Sequence, residues 1–256
     1  MLVVIDVGNS NTVLGIYRGQ ELLESFRIST SSGRTADEVL SLVVPLLQRS
    51  RLNPLRTSAV MVSSVVPPLN GAIVSLSQRL FGVAPSFVDA FTDTGVPVRY
   101  DNPAEVGADR IVNSVAARHL YGAPVVVVDL GTATTFDIVD GSGSYAGGLI
   151  APGIGIAAEA LFSRASRLYR IDIRQPDELI ARNTGGAMQA GIYYGYLGLV
   201  DGILKRLKAE IEGLETVIAT GGLAELIAGG SEHISGVDQL ITLNGLRLIY
   251  ERRQGS

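Results

Sequence analysis

Leu2-Val3-Val4-Ile5-Asp6-Val7-Gly8-Asn9-Ser10-Asn11-Thr12 opens the chain and decides its fold. The apolar part predicts a buried strand, and Val13 to Tyr17 predicts a second strand after the polar turn. A glycine at such a turn lets backbone N–H groups approach an anion, and Asp6 can hold a cation or its water shell. The stretch therefore indicates a phosphate and metal site, although Gly and Asn are also the usual residues of a plain hairpin turn.

A second copy of this pattern begins 123 residues later, at Val126-Val127-Val128-Asp129-Leu130-Gly131. At constant spacing the copies continue until Thr12 matches Thr135, and Phe136 to Val139 is the second strand of the later copy. A repeat of this length predicts two similar domains rather than a solenoid. We place them at residues 1–120 and 121–256. Two such turns facing each other across a cleft would offer two glycines and two carboxylates to one polyphosphate.

A third glycine turn, Thr220-Gly221-Gly222, follows the apolar strand at 216–219. Because glycine has no Cβ, backbone at Gly221 and Gly222 can lie flat against the adenosine part of a nucleotide. Together with the two Asp-x-Gly hairpins, this turn resembles the sugar kinase, Hsp70 and actin superfamily. That resemblance implies an α/β fold that is a duplicated ribonuclease H-like (actin-like ATPase) fold. Its two domains would have mixed five-stranded sheets flanked by helices, with ATP in the cleft.

Composition excludes several other classes of protein. The 256 residues carry a net charge of −4, a pI near 5.3 and no cysteine. Nucleic-acid binding through clustered basic residues is disfavoured, and disulfides and cysteine-based metal sites are impossible. No stretch has the length of a membrane span, and the N-terminus lacks the pattern of a signal peptide. We therefore expect a cytoplasmic protein that binds neither nucleic acid nor membrane.

The segment from Tyr100 to Arg110 contains the residues that would determine the substrate and the reaction. Pro103 predicts a helix that starts at Ala104 and extends to about His119, with Gly107 in its interior. A glycine there destabilises the helix by about 1 kcal/mol relative to Ala. Its presence is more easily explained if a ligand approaches the backbone at this position. Asp109 is the candidate general base, and Arg110 can grip a carboxylate. The alternative is that Asp109 and Arg110 form only a surface ion pair or cap.

The combination of four motifs resembles the type III pantothenate kinases, which phosphorylate pantothenate to 4'-phosphopantothenate in the first step of coenzyme A synthesis. The motifs are Asp6 to Thr12, Tyr100 to Arg110, Asp129 to Thr135, and Gly147 to Gly153. The resemblance implies that ATP is bound with magnesium, that Asp6 holds the magnesium directly or through water, and that Asp129 binds a monovalent cation, potassium or ammonium. It implies ATP contacts for Asp6, Val7, Gly8, Asn9, Ser10, Asn11, Thr12, Val13 and Thr132.

The same resemblance implies a substrate site around pantothenate, with Asp109 as the base. Its residues would be Tyr100, Gly107, Ala108, Asp109, Arg110 and Thr184. Pantothenate carries a carboxylate and a primary hydroxyl, which suit a cation and a base respectively. Two alternatives remain at this point: another small-molecule kinase of the same superfold, and a non-catalytic regulatory relative.

The second half contains a long helical pattern from Thr184 to Leu207 with three tyrosines, Tyr193, Tyr194 and Tyr196. Composition alone slightly favours an ordinary core for these tyrosines. The family resemblance implies a homodimer built on the second domain, which favours an interface. The closing segment predicts a terminal helix from Leu243 to Arg253 and a frayed end from Gln254 to Ser256.

Overall fold

The computed structural model describes residues 1–165 and 168–255, which form two compact units. Unit 1 comprises Met1–Ala116 together with the segment from Leu240 onwards, and unit 2 comprises Ala117–Gln239. The strands are β1 (Leu2–Val7), β2 (Asn11–Arg18), β3 (Glu21–Ser29), β4 (Ala59–Ser64), β5 (Pro85–Phe87), β6 (Val125–Leu130), β7 (Ala133–Val139), β8 (Tyr145–Pro152), β9 (Thr216–Thr220) and β10 (Gly236–Val237). The helices are α1 (Ala36–Ser50), α2 (Asn70–Leu76), α3 (Ala108–Tyr121), α4 (Ile154–Arg164), α5 (Thr184–Glu210), α6 (Ala224–Ala228) and α7 (Ile241–Gly255).

Unit 1 is built on a mixed five-stranded sheet in the order β3-β2-β1-β4-β5. Strands β1, β2 and β3 are antiparallel neighbours, whereas β4 and β5 run parallel to β1. Both faces of β1 are covered: Val3 and Ile5 pack in the core with α1 and α2, while α7 packs on β1 and β4. A strand buried on both faces is a continuous apolar run, which explains the sequence of residues 2–5.

Unit 2 repeats this topology in a second sheet of order β10-β9-β6-β7-β8. Strand β6 corresponds to β1, since it is antiparallel to β7 and parallel to β9. Its core contains the apolar residues of β6, β7 and β9 together with Tyr193, Tyr196 and Val200 of α5. Two sheets of equal strand number and equivalent order confirm the duplicated fold that the repeat predicted.

The compact units differ from the predicted domains of residues 1–120 and 121–256. The chain returns to unit 1 at Leu240, and α7 packs on β1, β2 and β4. The prediction was wrong for the C-terminal segment because a helix at the end of the sequence carries no local sign of the sheet that it covers. Helix α7 continues through Gly255, so Gln254 and Gly255 are not frayed, and Ser256 lies outside the described residues.

The two Asp-x-Gly hairpins have turns of different length. Three residues, Gly8–Ser10, join β1 to β2, whereas only Gly131 and Thr132 join β6 to β7. Thr12 therefore pairs with Val7 as Thr134 pairs with Leu130, and both threonines are buried. The predicted match of Thr12 to Thr135 was wrong by one residue, because constant spacing cannot show the shorter second turn. The second strand accordingly begins at Ala133, before the predicted Phe136.

The helix after Pro103 starts later than the sequence predicted. Pro103–Glu105 forms a single 3-10 turn, Val106 is extended, and α3 begins at Ala108. Gly107 is the residue before the helix, and its carbonyl accepts from the N–H groups of Arg110 at 3.1 Å and Ile111 at 3.3 Å. Gly107 thus lies at the start of the helix rather than in its interior, and the predicted helical penalty does not apply.

Candidate active site

The hairpin of unit 1 presents its polar residues at the carboxyl end of β1. The Gly8 N–H donates to the Asn11 carbonyl at 3.0 Å, which closes the turn. Asn9 and Ser10 at its tip are exposed, whereas Asp6 is half-buried. A Cβ on Gly8 would lie 3.1 Å from that Asn11 oxygen, so a larger residue would crowd the turn. The turn therefore offers exposed donors beside one half-buried carboxylate, a set suited to phosphate oxygens and a hydrated cation.

Thr12 secures the base of this turn rather than its surface. It is only 3% exposed, and its hydroxyl is 2.8 Å from that of Thr30. The Thr30 N–H also donates to the Ser10 carbonyl at 2.9 Å, which fixes the turn against the end of β3. A buried hydroxyl of this kind fixes the position of the turn. Val13, which follows on β2, is half-buried and pairs with Asp6.

The candidate base Asp109 lies in the first turn of α3. Its Oδ1 accepts from the backbone N–H of Arg110 at 2.8 Å. Burial raises the pKa of the Asp109 carboxyl above its usual 3.8, and this effect exceeds the opposing effects of the Arg110 N–H and the Arg110 charge. A carboxylate with a raised pKa is a better proton acceptor near neutral pH. Arg110 is 7% exposed, so protein covers most of its side chain.

Gly107 makes room for the Asp109 carboxylate. A Cβ on Gly107 would lie 2.6 Å from Asp109 Oδ1 and 3.5 Å from Val65 Cγ1. The close approach of backbone to side chain explains why glycine stands at this position. Ala108, the first residue of the helix, is buried, whereas Tyr100 is 36% exposed on the segment that leads to the 3-10 turn.

Val65 links the two predicted groups of unit 1, and sequence reasoning missed it. Its side chain lies beside Gly107, and its N–H donates to the Val7 carbonyl at 3.0 Å, next to Gly8. The structure therefore brings the start of α3 close to the hairpin turn through the end of β4. A signal was available in the sequence, since the apolar strand there ends in two serines, Ser63 and Ser64.

In unit 2, three glycines surround the Asp129 hairpin. A Cβ on Gly221 would lie 2.6 Å from Asp129 Oδ1 and 2.7 Å from the carbonyl carbon of Leu130. Gly221 has φ +93°, a conformation that L residues with side chains rarely adopt. A Cβ on Gly131 would lie 3.2 Å from the same Asp129 oxygen, and one on Gly153 would lie 2.6 Å from the Gly131 carbonyl oxygen. These glycines permit backbone to pack tightly around one carboxylate and the carbonyl groups beside it.

Three predicted residues of unit 2 lie in exposed positions. Thr132, at the tip of the hairpin, and Gly131 before it are both exposed. Gly222 follows Gly221 in open space, with no atom within 4 Å of a Cβ placed there. Thr184 is the exposed first residue of α5, and the side chain of Asn183 caps that helix by accepting from the Gly186 N–H at 2.8 Å.

The three tyrosines of α5 divide between core and surface. Tyr193 is 1% and Tyr196 6% exposed, whereas Tyr194 is 37% exposed. Tyr196 contacts the hydroxyl of Thr134 and donates to the Pro152 carbonyl at 2.9 Å, and burial raises its pKa. An interface role for Tyr193 and Tyr196 is therefore wrong, because both side chains fill the core of their own unit. Only Tyr194 presents its ring to the surface.

Two features are absent from the described residues. Within residues 1–165 and 168–255, no helix has the length and apolar character needed to cross a membrane. Over the same residues, no three side chains of His, Asp or Glu cluster as a ready-made metal site. Asp6 and Asp129 are therefore single carboxylates that belong to no such cluster.

Known proteins resemble this chain over nearly its whole length. The model of the type III pantothenate kinase family matches residues 2–206. The type III pantothenate kinase of Geobacter sulfurreducens is 54% identical, with 99% of this chain and 100% of the relative covered. The enzyme of that name in Myxococcus xanthus is 52% identical, with 100% of both chains covered. Among solved structures, (R)-2-hydroxyglutaryl-CoA dehydratase component A of Acidaminococcus fermentans has a TM-score of 0.61 at 13% identity, covering 100% of this chain and 99% of its own.

The repeated sheet and its two Asp-x-Gly hairpins define a duplicated ribonuclease H-like fold, the fold class of actin-like ATPases and sugar kinases. The likeness at 13% identity supports this fold alone. The family match over residues 2–206 and the relatives above 50% identity go further. The chain belongs to the type III pantothenate kinase family.

Proposed function

We propose that Asp109 is the general base of this protein's reaction, the ATP-dependent phosphorylation of pantothenate in the first step of coenzyme A biosynthesis, and that the γ-phosphoryl group passes to the primary hydroxyl of pantothenate. The observation that carries the proposal is the place of Asp109 at the start of α3, against Gly107, which lies beside Val65 and therefore close to the Gly8 turn. A base that acts in phosphoryl transfer has to lie near the phosphates as well as near the acceptor hydroxyl.

The chemistry follows from the charge and burial of Asp109. Its carboxylate accepts the proton of the substrate hydroxyl as the hydroxyl oxygen bonds to the γ-phosphorus. The bond from that phosphorus to the bridging oxygen breaks, ADP departs, and Asp109 then releases its proton to solvent. The raised pKa supports this role, because it brings the proton affinity of the base closer to that needed near pH 7.

The substrate is held, in this proposal, by residues on both sides of the helix start. Arg110, which is 7% exposed, supplies positive charge for the pantothenate carboxylate. Tyr100, Gly107 and Ala108 are the other proposed substrate contacts in unit 1. Thr184 completes the proposed set from unit 2.

ATP engages both Asp-x-Gly hairpins in this proposal. Residues 6–13 bind its phosphates, with the magnesium ion held by Asp6 directly or through water. Thr132, Gly221 and Gly222 contact the nucleotide from unit 2. A divalent cation supplies charge compensation on the transferred group, as in other phosphoryl transfer enzymes.

Asp129 is the proposed ligand of a monovalent cation, potassium or ammonium. Its Oδ1 lies against Gly131 and Gly221, and the carbonyl groups of Gly131 and Thr132 are close to Gly153. One carboxylate with neighbouring carbonyl oxygens offers the oxygen ligands that a hard cation prefers. We further propose that the protein acts in the cytoplasm as a homodimer through unit 2, and the exposed ring of Tyr194 on α5 is compatible with such a surface.

A coupled ADP-release assay tests the function. Pantothenate is compared with hexoses and short carboxylic acids, each in potassium and then in sodium buffer. Among these acceptors we expect turnover only with pantothenate. That turnover should be faster in potassium buffer than in sodium buffer. Faster release with a sugar would identify another small-molecule kinase, and no release with any acceptor in either buffer would favour a non-catalytic relative. Equal rates in the two buffers would remove the potassium proposal only.

A further inference from the structure

Ser63 has a buried hydroxyl whose presence the fold does not explain. It lies near the end of β4, is 0% exposed, and its Oγ has no hydrogen-bond partner among the described residues. An unpaired buried hydroxyl disfavours folding, whereas alanine at the same place would avoid the loss. A serine at this position is better explained if its hydroxyl gains a hydrogen-bond partner when a ligand binds.

The register of the sheet places Ser63 directly beside Asp6. Strands β1 and β4 are parallel, with Asp6 opposite Ser63. Their neighbours Ile5 and Val62 both belong to the core with α1 and α2. Because side chains alternate along a strand, Asp6 and Ser63 share the opposite face, on strands about 4.8 Å apart. A serine hydroxyl at that spacing can reach a neighbouring carboxylate.

Unit 2 repeats the arrangement at the equivalent position. Strand β9 corresponds to β4, and its Thr220 lies opposite Asp129 on β6. Thr220 is 4% exposed. Two residues earlier, the corresponding pairs are apolar, Val4 with Met61 and Val127 with Ile218. In both copies of the fold, the residue paired with the aspartate carries a buried hydroxyl, whereas the pair two residues earlier is apolar.

We propose that Ser63 is a positioning residue for Asp6: its hydroxyl donates a hydrogen bond to the Asp6 carboxylate when that carboxylate holds the hydrated divalent cation of ATP. The inference rests on the proposed ATP site. A donated hydrogen bond fixes one orientation of the carboxylate, which matters because no cluster of three acidic or histidine side chains exists among the described residues. Ser63 itself touches neither ATP nor the reacting atoms.

The test measures metal binding without turnover. Mn²⁺ affinity is determined by electron paramagnetic resonance in the presence of a non-hydrolysable ATP analogue, for wild type and for Ser63→Ala and Ser63→Thr. We expect Ser63→Ala to weaken Mn²⁺ binding about tenfold, since hydrogen bonds to charged groups are worth that much or more. Its thermal stability without ligands should equal or exceed that of wild type. Ser63→Thr keeps the hydroxyl and should retain most of the affinity.

Thr57→Val is the matched control. Thr57 is 7% exposed, and its Oγ1 is also buried without a partner, but it lies just before β4 at the opposite end of the strand from Ser63. Removing this hydroxyl should leave Mn²⁺ affinity unchanged. Equal Mn²⁺ affinity in wild type and Ser63→Ala would overturn the proposal, and so would equal losses in Ser63→Ala and Ser63→Thr, because a packing change would then explain both. Turnover of pantothenate by wild type is measured separately, so failure of the proposed kinase function remains distinguishable.

Discussion

The backbone of Gly107 lies against the carboxylate of Asp109, since a Cβ on Gly107 would be 2.6 Å from Asp109 Oδ1. The atom in the way is the end of a side chain, so alanine at 107 would turn the carboxylate rather than unfold the helix. Asp109 would then lose its orientation while the α3 backbone stays in place. The glycine and the proposed base act as one unit.

Gly107→Ala should therefore reduce kcat about 10- to 100-fold, because small displacements of a catalytic group have effects of that size. The melting temperature should change little. Steady-state kinetics and thermal unfolding check both expectations. Gly33→Ala is the control, since Gly33 also belongs to unit 1 and no atom lies within 4 Å of a Cβ there. An unchanged kcat in Gly107→Ala would show that the orientation of Asp109 is unimportant.

The raised pKa of Asp109 predicts how stability depends on pH. Its folded-state pKa lies above the ordinary value, so the stability it contributes is present below the unfolded pKa and is lost as pH rises through the folded pKa. Asp109→Asn removes this loss. The variant should be more stable than wild type at pH 7, and the difference should shrink as pH falls towards about 4. Urea unfolding at three pH values measures it, and a pH-independent difference would contradict the burial of this carboxylate.

Gly221 should be sensitive to substitution because of both its conformation and its neighbours. Alanine would have to adopt φ +93° and would meet Asp129 Oδ1 and the Leu130 backbone. We expect Gly221→Ala to raise the KM for ATP roughly tenfold, the change that 1.4 kcal/mol of binding energy produces. Gly141→Ala, in an open part of the same unit, is the control. A KM for ATP equal to that of wild type would argue against the nucleotide contact proposed for this turn.

Gly245 of α7 packs against α3 so closely that alanine has no space. Its Cβ would overlap the Val112 carbonyl oxygen and lie 2.7 Å from Val112 Cγ1. Near this contact, the Thr242 hydroxyl donates to Asn113 Oδ1 at 2.7 Å. Gly245→Ala should lower the free energy of unfolding by about 1–3 kcal/mol, as overpacking does. Gly255→Ala on the same helix meets no atom within 4 Å and should leave it unchanged in urea unfolding.

Local patterns predicted the two hairpins around which the sheets are built, because an Asp-x-Gly hairpin and its strands are contiguous in sequence. The start of α1 at Ala36 is another local feature, since Thr35 and Glu38 form a reciprocal capping box. Relations between distant segments could not be predicted in this way. Nothing near Leu240 indicates that α7 returns to unit 1, and nothing near Gly153 indicates its contact with the Gly131 turn. Such contacts depend on packing rather than on local pattern.

The start of α3 was predicted least well within the candidate site. Pro103 favours a helix start, but Val106 is extended and the helix begins only at Ala108. Placing Asp109 in the first turn, rather than in the middle of a helix, brings its carboxylate to the Arg110 N–H and to Gly107. The identity of the residues was predicted from the sequence, whereas their mutual geometry required the structure.

The most direct test of the central claim is the rate of pantothenate-dependent ADP release by Asp109→Asn, with ATP-analogue binding measured alongside. Asparagine keeps the shape of the side chain and removes its proton affinity. Loss of a general base lowers kcat by about 10²- to 10⁴-fold, and we predict that loss with ATP binding intact. A kcat close to that of wild type would contradict the assignment of Asp109 as the base.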